Sequence, residues 1–446
     1  MTACLRLALL SAAALLAAAG HAPLQASVWH VDASAAAGGD GLQWSTAFRT
    51  LDEALLAAQP QDQVWVAAGT YRPRERTDPL DPRSATFSMQ DVSLFGGFAG
   101  FESSLAQRAG LFRQTILEGD LGTLDDPGDD AYHVITARRF VSVDGFVVQH
   151  GNARNAPDVH GAGLLALTVP PQGGFPGLGP WIVLDHCVFR ANRTPGQGAA
   201  LFGQLMHLVA RRSSFEGNRA ANGGALVLRV TDADIVNCTF LDNRASGRGG
   251  AIFLPSNQWN PPSVRVVNCV FARNQAAEGG AAYLVGAQYT SGNAHWVNCT
   301  LTQNAASLQG GAILAHDSPG TLTDPVNLIG NCIVWGNQAP VDPNLSGLAQ
   351  PSFSLIEGWT GGPASVFDGD PLFVDAANGD FRLQSGSPAL DRGHPLQLLP
   401  DLVDIDGDGN TQESLPIDLD GHARGQDDPS VAWGVPPYID SGAYER

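Results

Sequence analysis

The chain has 446 residues, a formal net charge of −19 at pH 7 and charged side chains at only 15% of positions. That charge repels nucleic acid, anionic glycans and anionic lipid alike, so none of them is expected as a primary partner. Lysine is absent, which removes every reaction that needs a lysine base, and residues 401–446 hold nine Asp and two Glu against two Arg.

Arg6, the apolar run Leu7 to Ala19 and the small-residue site Leu24-Gln25-Ala26 read as a signal peptide over 1–26, with Ser27 opening the mature chain. The run is too short to span a bilayer, and no later stretch reaches 18 apolar residues, so no transmembrane helix is expected. Cys4 precedes the run, where it cannot carry a lipid anchor. The expected location is secreted or cell-surface, with the periplasm as the alternative.

Residues 27–130 are expected to form a cap and first coils: a strand, a Gly-rich loop, a short helix near Leu51 to Ala58, then another strand. A helix there would cover the open edge groups of a stack.

Residues 131–345 repeat. Aligned on Cys, the copies begin at Asp185, Arg212, Asn237, Asn268, Asn298 and Asn331, with a weaker one at Asp144, Gly145 and Phe146. The column Asn192, Asn218, Asn243, Asn274, Asn304 and Asn337 has spacings of 26, 25, 31, 30 and 33. A constant core with elastic connections is the mark of stacked units. In "IVNCTF", Val236, Cys238 and Phe240 share one face by period-2 alternation. About 25 residues per unit cannot bury a core alone, whereas stacking pairs each strand with its copy about 4.8 Å away. The fold class is therefore all-β: a right-handed parallel β-helix with a short N-terminal helical cap and an acidic C-terminal end. A leucine-rich repeat lacks its Leu framework here, and a propeller blade needs about 40 residues.

The columns carry structural tasks. Phe189, Phe215, Phe240, Phe271, Leu301 and Val334 would stack inside the tube. The Asn column is expected at a turn, tolerating a left-handed backbone and bonding its counterparts above and below. Gly223-Gly224, Gly249-Gly250, Gly279-Gly280 and Gly310-Gly311 would form the next corner. Cys187, Cys238, Cys269, Cys299 and Cys332 occupy one column, with Ser213 in the remaining copy. Five is odd and the spacing is not that of a zinc site, so a buried file of small side chains is expected.

Residues 346–446 are expected to hold the final coils and an acidic end. Across the mature chain several motifs stand out: Asp40-Gly41 with Trp44, Thr46, Ala47 and Phe48; Ala68-Gly69-Thr70-Tyr71; "LFGGFAGFE" at Leu94 to Glu102; and the Asn-Cys copies. Ser387-Pro388-Ala389-Leu390-Asp391, Asp418-Leu419-Asp420-Gly421 and Gly442-Ala443-Tyr444-Glu445 follow. With these the chain resembles bacterial exported β-helix proteins of the pectin-lyase-like superfamily, akin to polymorphic outer-membrane-protein repeats and the choice-of-anchor group. The resemblance implies architecture and export far more than a reaction. The membrane barrel of autotransported relatives does not follow the repeats, so self-anchoring is not expected.

The best chemical candidate is "DIDGDGNTQE". Asp404, Asp406 and Asp408 with Gly409 match the first, third, fifth and sixth positions of a calcium loop, with the Asn410 carbonyl and Gln412 at the seventh and ninth. Leu415 stands where a closing Glu belongs, so Glu413, Asp418 or Asp420 must close it. Calcium is expected as a structural clip; a solvated acidic turn is the alternative. Catalysis has weaker support. Asp185-His186 falls on the repeat position before Cys187 and needs no catalytic role, and His316-Asp317 is a lone loop pair. Trp259 is the aromatic placed to stack on a sugar, while Trp296 and Trp335 adjoin apolar columns. Three functions stay open: a non-enzymatic adhesion or glycan-binding scaffold, a polysaccharide lyase or hydrolase, and an envelope component without ligand. A monomer is expected, with a polysaccharide or surface partner.

Overall fold

The computed structural model describes residues 26–446 except 124–125, 168–179, 230–231, 256–262, 286–292, 317–326, 361, 430, 432 and 435. The fold is a right-handed parallel β-helix. The segments expected to form the signal peptide and to carry Trp259, Tyr289 and Asp317 lie outside the described residues.

The coil starting at Asp232 shows how the sequence builds the tube. Asp232–Val236 runs straight, the chain bends at Asn237 (φ 51°), and Thr239–Leu241 forms a second side. A second bend at Asp242 (φ 58°) leads to Arg244–Ala245, and Gly249 (φ 64°) turns the chain into Ile252–Leu254. Each strand pairs in parallel with its copy one coil on, giving sheets of 18, 10 and 4 strands. In the first coils Phe87–Phe98 and Ile135–Asp144 are unbroken, and Ile135–Asp144 pairs with both Leu164–Ala166 and Trp181–Asp185. From there on the side is split in two. The gaps between its halves are 2, 2, 8, 7 and 10 residues from Leu201–Gln204 to Asn327–Gly330. These gaps track the unequal Asn spacings, so the elasticity of the repeat lies at this one edge.

The apolar file is in register: Phe189, Phe215, Phe240, Phe271, Leu301 and Val334 pair successively and are fully buried. Ring centroids close from 5.6 to 4.7 to 4.5 Å as the rings become parallel. The five Cys are free and buried, each thiol donating to main-chain carbonyls such as Val143 O and Asp185 O for Cys187. Burial pushes the Cys187 thiol up to about 12, so it is an inert filler.

The Asn column forms a continuous ladder. Asn274 accepts from the main-chain N–H and the Nδ2 of Asn243, both at 3.0 Å, and donates to Phe240 O and Asn304 Oδ1, both at 2.9 Å. The left-handed backbone expected at these residues falls instead one position earlier, on Ala191, Asp242, Arg273 and Gln303, and on the separate column Asn237, Asn268, Asn298 and Asn331. The ladder Asn thus bonds the corner while its neighbour bends it. At the Gly pair the two residues do different things: Gly249 supplies positive φ, while a Cβ on Gly250 would strike Gly280 O of the next coil.

Two further expectations differ from the structure. Val236 does not share a face with Cys238 and Phe240, because the bend at Asn237 breaks the alternation. Ile235, Cys238 and Phe240 point into the core, and Val236 points out. Nor do residues 370–446 finish the coils. Among the described residues the last coil contact is Leu355 with Phe367, and the later strands are the antiparallel pair Phe373–Asp375 and Asp380–Leu383. The chain instead returns along the outside as a strap. Ile405 and Leu415 cover Val236, Val267 and Val297; Leu383 and Leu390 cover Ile333 and Leu355; Phe381 and Ala443 cover Val270 and Ala272. At the other end the helix Leu51–Ala57 is closed by a Thr50–Glu53 capping box and buries Leu51 and Ala54.

Candidate functional site

In the strap, Asp404, Asp406 and Asp408 bring carboxylate oxygens within 4.8 Å of one another. The turn is tightened by its own side chains: Gly409 N–H donates to Asp404 Oδ1 at 3.0 Å, and Asn410 N–H to Asp408 Oδ1 at 2.7 Å. The Asn410 side chain accepts from Gln412 N–H, and both residues are exposed. Asp418 is not part of this cluster. It is fully buried elsewhere in the strap and accepts from the N–H groups of His422 and Glu445. In its place, Asp401 and Glu413 gather around Asp406, again within 4.8 Å. Asp401 lies upstream of the motif, where a template read forward from Asp404 does not look.

The loop sits on arginines of the tube. Arg211 donates to Val403 O at 2.5 Å and Arg212 to Ile405 O at 3.3 Å. Both also grip Asp185, through their Nε atoms at 2.9 Å. His186 Nδ1 lies 3.1 Å from Asp185 and 3.4 Å from Asp144, and Arg108 pairs with Asp144 at 2.8 Å. Burial opposes the charge on Asp185, but His186 and the two guanidinium groups outweigh it and hold the carboxyl well below its usual range. His186 is raised in turn: burial acts against its charge, and Asp144 and Asp185 prevail. Two carboxylates beside an imidazole resemble a proton-transfer set. Here Asp144 and Asp185 are both buried, the Phe112 ring lies 4.8 Å from His186, and Arg108 sits over Phe112. The cluster joins three coils to the strap.

A separate cavity of about 430 Å³ opens beside the variable edge, lined by Gln197, Asn222, Arg229, Arg248, Phe253 and Glu278 among others. Arg248 is positioned by three contacts: its Nε donates to Glu278 at 3.0 Å, its main-chain N–H to Asn222 at 2.9 Å, and its guanidinium lies 4.8 Å above Tyr283. Phe253 belongs to an outward-facing apolar row of Leu165, Phe202, Val227, Phe253, Tyr283 and Leu314, set in register from Phe202 onward by four strand pairings. Sequence reasoning missed this row. Its signal was available in the second residue after each Gly-Gly-Ala, where "GGALVL", "GGAIFL", "GGAAYL" and "GGAILA" place a second apolar column. His316 ends the strand Ile313–His316 and is exposed. Trp296 is buried against Phe271, and Trp335 packs near Ile333.

Among the described residues no helix is long and apolar enough to cross a membrane, which says nothing of a β-barrel. Residues 237–255 match the model of the Chlamydia polymorphic membrane protein repeat. No curated protein matches the chain. A solved structure of a rhamnogalacturonan lyase is similar at 11% identity, over 78% of this chain and 90% of that one, with a TM-score of 0.41; no activity follows from a likeness at that level. By its coils the chain is a right-handed parallel β-helix protein, and its residues 237–255 are similar to the polymorphic membrane protein repeat.

Proposed function

We propose that the chain is exported and works as a non-enzymatic adhesion or glycan-binding scaffold, at the cell surface or outside it, with neutral polysaccharide as its ligand class. The observation that carries this reading is the cavity at Phe253. Amide, guanidinium and carboxylate groups there converge beside a buried apolar row whose Phe253 reaches the lining, a combination that hydrogen-bonds sugar hydroxyls over an apolar floor. Hydrolysis of a glycoside normally takes two carboxyls about 5 to 9 Å apart. Among the described residues Glu278 is the one acid of this lining, and it is engaged by Arg248. The leader-like start of the sequence supports export.

The enzymatic alternative has one observation in its favour, the pairing of Asp144 and Asp185 with His186. One experiment addresses both. A polysaccharide array is scored for retained protein and for unsaturated or reducing-end product, with wild type, Arg248→Ala and Asp185→Asn. Binding that Arg248→Ala weakens, without product, is the expected result. Product formation abolished by Asp185→Asn would overturn the proposal in favour of a lyase or hydrolase, and retention of no polysaccharide would overturn both.

A further inference from the structure

The acidic loop was read in sequence from Asp404 outward, but the side chains present a different seat on its inner side. Asp401 is fully buried, and only one of its oxygens is used: Oδ2 accepts from Ile405 N–H at 2.8 Å, while Oδ1 has no hydrogen-bond partner. Glu413 Oε1 is likewise buried and without a partner. These two acids and Asp406 place one oxygen each within 4.8 Å of the others. A buried carboxylate oxygen that faces other carboxylates and lacks a donor is costly, because desolvation and repulsion act together. Asp404, Asp406 and Asp408 each spend an oxygen on a turn N–H, and Asp406 and Asp408 are exposed, so the buried oxygens of the cluster without a donor are those of Asp401 and Glu413.

We propose that Asp401, Asp406 and Glu413 form a binding site for a divalent cation of the calcium type, with Asp406 shared between this inner trio and the outer Asp404 and Asp408. An all-oxygen, triply anionic donor set suits a hard cation, and carboxylates that leave further positions to water or to the outer acids suit calcium, with its variable geometry, better than magnesium, which demands a tight octahedron. The positive groups nearest the loop do not satisfy these oxygens. Arg211 and Arg212 are turned to Asp185 and to main-chain carbonyls of Val403, Asp404 and Ile405, and Arg265 pairs with Asp234 at 2.7 Å.

The position gives the ion a task. Asp401 N–H donates to Glu413 O at 2.9 Å and Leu415 N–H to Leu399 O at 3.0 Å, so the trio sits where the loop leaves and rejoins itself. Ile405 and Leu415 on either limb are the residues that cover Val236, Val267 and Val297. A cation bridging Asp401 to Glu413 would lock both limbs and so latch the strap to the tube.

The test uses the full mature chain stripped with chelator, its melting temperature followed while calcium chloride is added to about 10 mM, with magnesium chloride in a parallel series. Wild type is expected to gain stability with a midpoint on the order of 0.1–1 mM calcium. Glu413→Gln and Asp401→Asn should each move that midpoint at least about tenfold, and Asp408→Asn by less than about threefold. In chelator, Glu413→Gln should melt no lower than wild type, since it removes a charge facing Asp401 and Asp406. Three results would overturn the site: equal melting of wild type with and without calcium, Asp408→Asn as damaging as Glu413→Gln, or Glu413→Gln lowering the melt equally in both media.

Discussion

Replacing Asn274 by Ala tests whether the ladder or the apolar file is the main specific support of a coil. Asn274 is fully buried and makes four side-chain hydrogen bonds of 2.9 to 3.0 Å, to Asn243, Phe240 and Asn304. Each such bond contributes about 0.5–1.5 kcal/mol net, and each buried partner left bare costs more than the bond itself was worth. Four bonds give about 2–6 kcal/mol, and the small polar cavity left behind admits a water that repairs part of it, so about 3–4 kcal/mol is expected. The control is Asn298→Gly in the other Asn column. Glycine keeps the left-handed backbone (φ 53°), and the two bonds lost are long, 3.3 Å to Asp440 O and 3.4 Å from Asn331 Nδ2. That variant should lose about 1 kcal/mol or less. A solenoid does not guarantee two-state unfolding, so native-state hydrogen exchange is the proper assay. Protection should fall at the amides of Asn243 and Asn274 and stay unchanged at Asn192, three coils away. A loss below about 1 kcal/mol, or one equal to that of Asn298→Gly, would refute the reasoning.

The five mature-chain thiols should be silent to a thiol reagent in the native protein and all react after denaturation, because each is free and no more than 1% exposed; a native count above one would contradict the buried file. Asp185→Ala should cost about 3 kcal/mol by stranding Arg211 and Arg212, and limited proteolysis should then cut within 394–446 before the coils; cleavage in the coils first would reject the anchoring role. Burial, reinforced by Glu445, pushes Asp440 up to about 8, against 3.8 for the free carboxyl. The folded chain therefore holds a proton that the unfolded chain has lost between about pH 4 and 8, and this group's contribution to stability falls as pH rises through that window. The effect should be on the order of a few kcal/mol. Asp440→Asn should flatten the melting-temperature slope between pH 5 and 8, and an unchanged slope would assign the dependence to other groups.

The parts legible in sequence are those that stacking forces to repeat. A Phe, Cys or Asn inside one coil must meet its like in the next, so Phe240, Cys238 and Asn243 announced themselves as columns before any geometry was known. Direction along the corner was not legible. A period-2 reading carries Val236 onto the face of Cys238 only while the backbone stays extended, and Asn237 at φ 51° reverses the phase. The same blindness put the left-handed turn on the ladder Asn rather than on Asp242 or Arg273. At the acidic loop, the motif pointed to Asp404, Asp406 and Asp408, but a linear template cannot register that the chain folds back to bring Asp401 beside Glu413, or that Asp418 is spent on His422 and Glu445.

The strap was least legible because it has no period of its own, yet one kind of contact recurs along it. Asn237, Asn268, Asn298 and Asn331 donate to Asp418 O, Ile417 O, Asp440 O and His394 O, and Gln303 donates to Ala376 O. Arg211, Arg212 and Arg265 do the same with Val403 O, Ile405 O and Pro400 O. In each of these contacts the tube supplies the donor and the strap a main-chain oxygen. Donors repeated once per coil can thus hold a segment of irregular sequence, since a carbonyl is available at every residue whatever its side chain. The strap's carboxylates remain outside this bonding. Some, such as Glu445 with Arg424 and Asp428 with Arg446, are met by the strap's own arginines. Asp401 Oδ1 and Glu413 Oε1 are met by no hydrogen-bond donor. Charge left over after the main chain has done the docking is what a cation would recognise, and that ties the stability of the strap to the ions around it rather than to the tube alone.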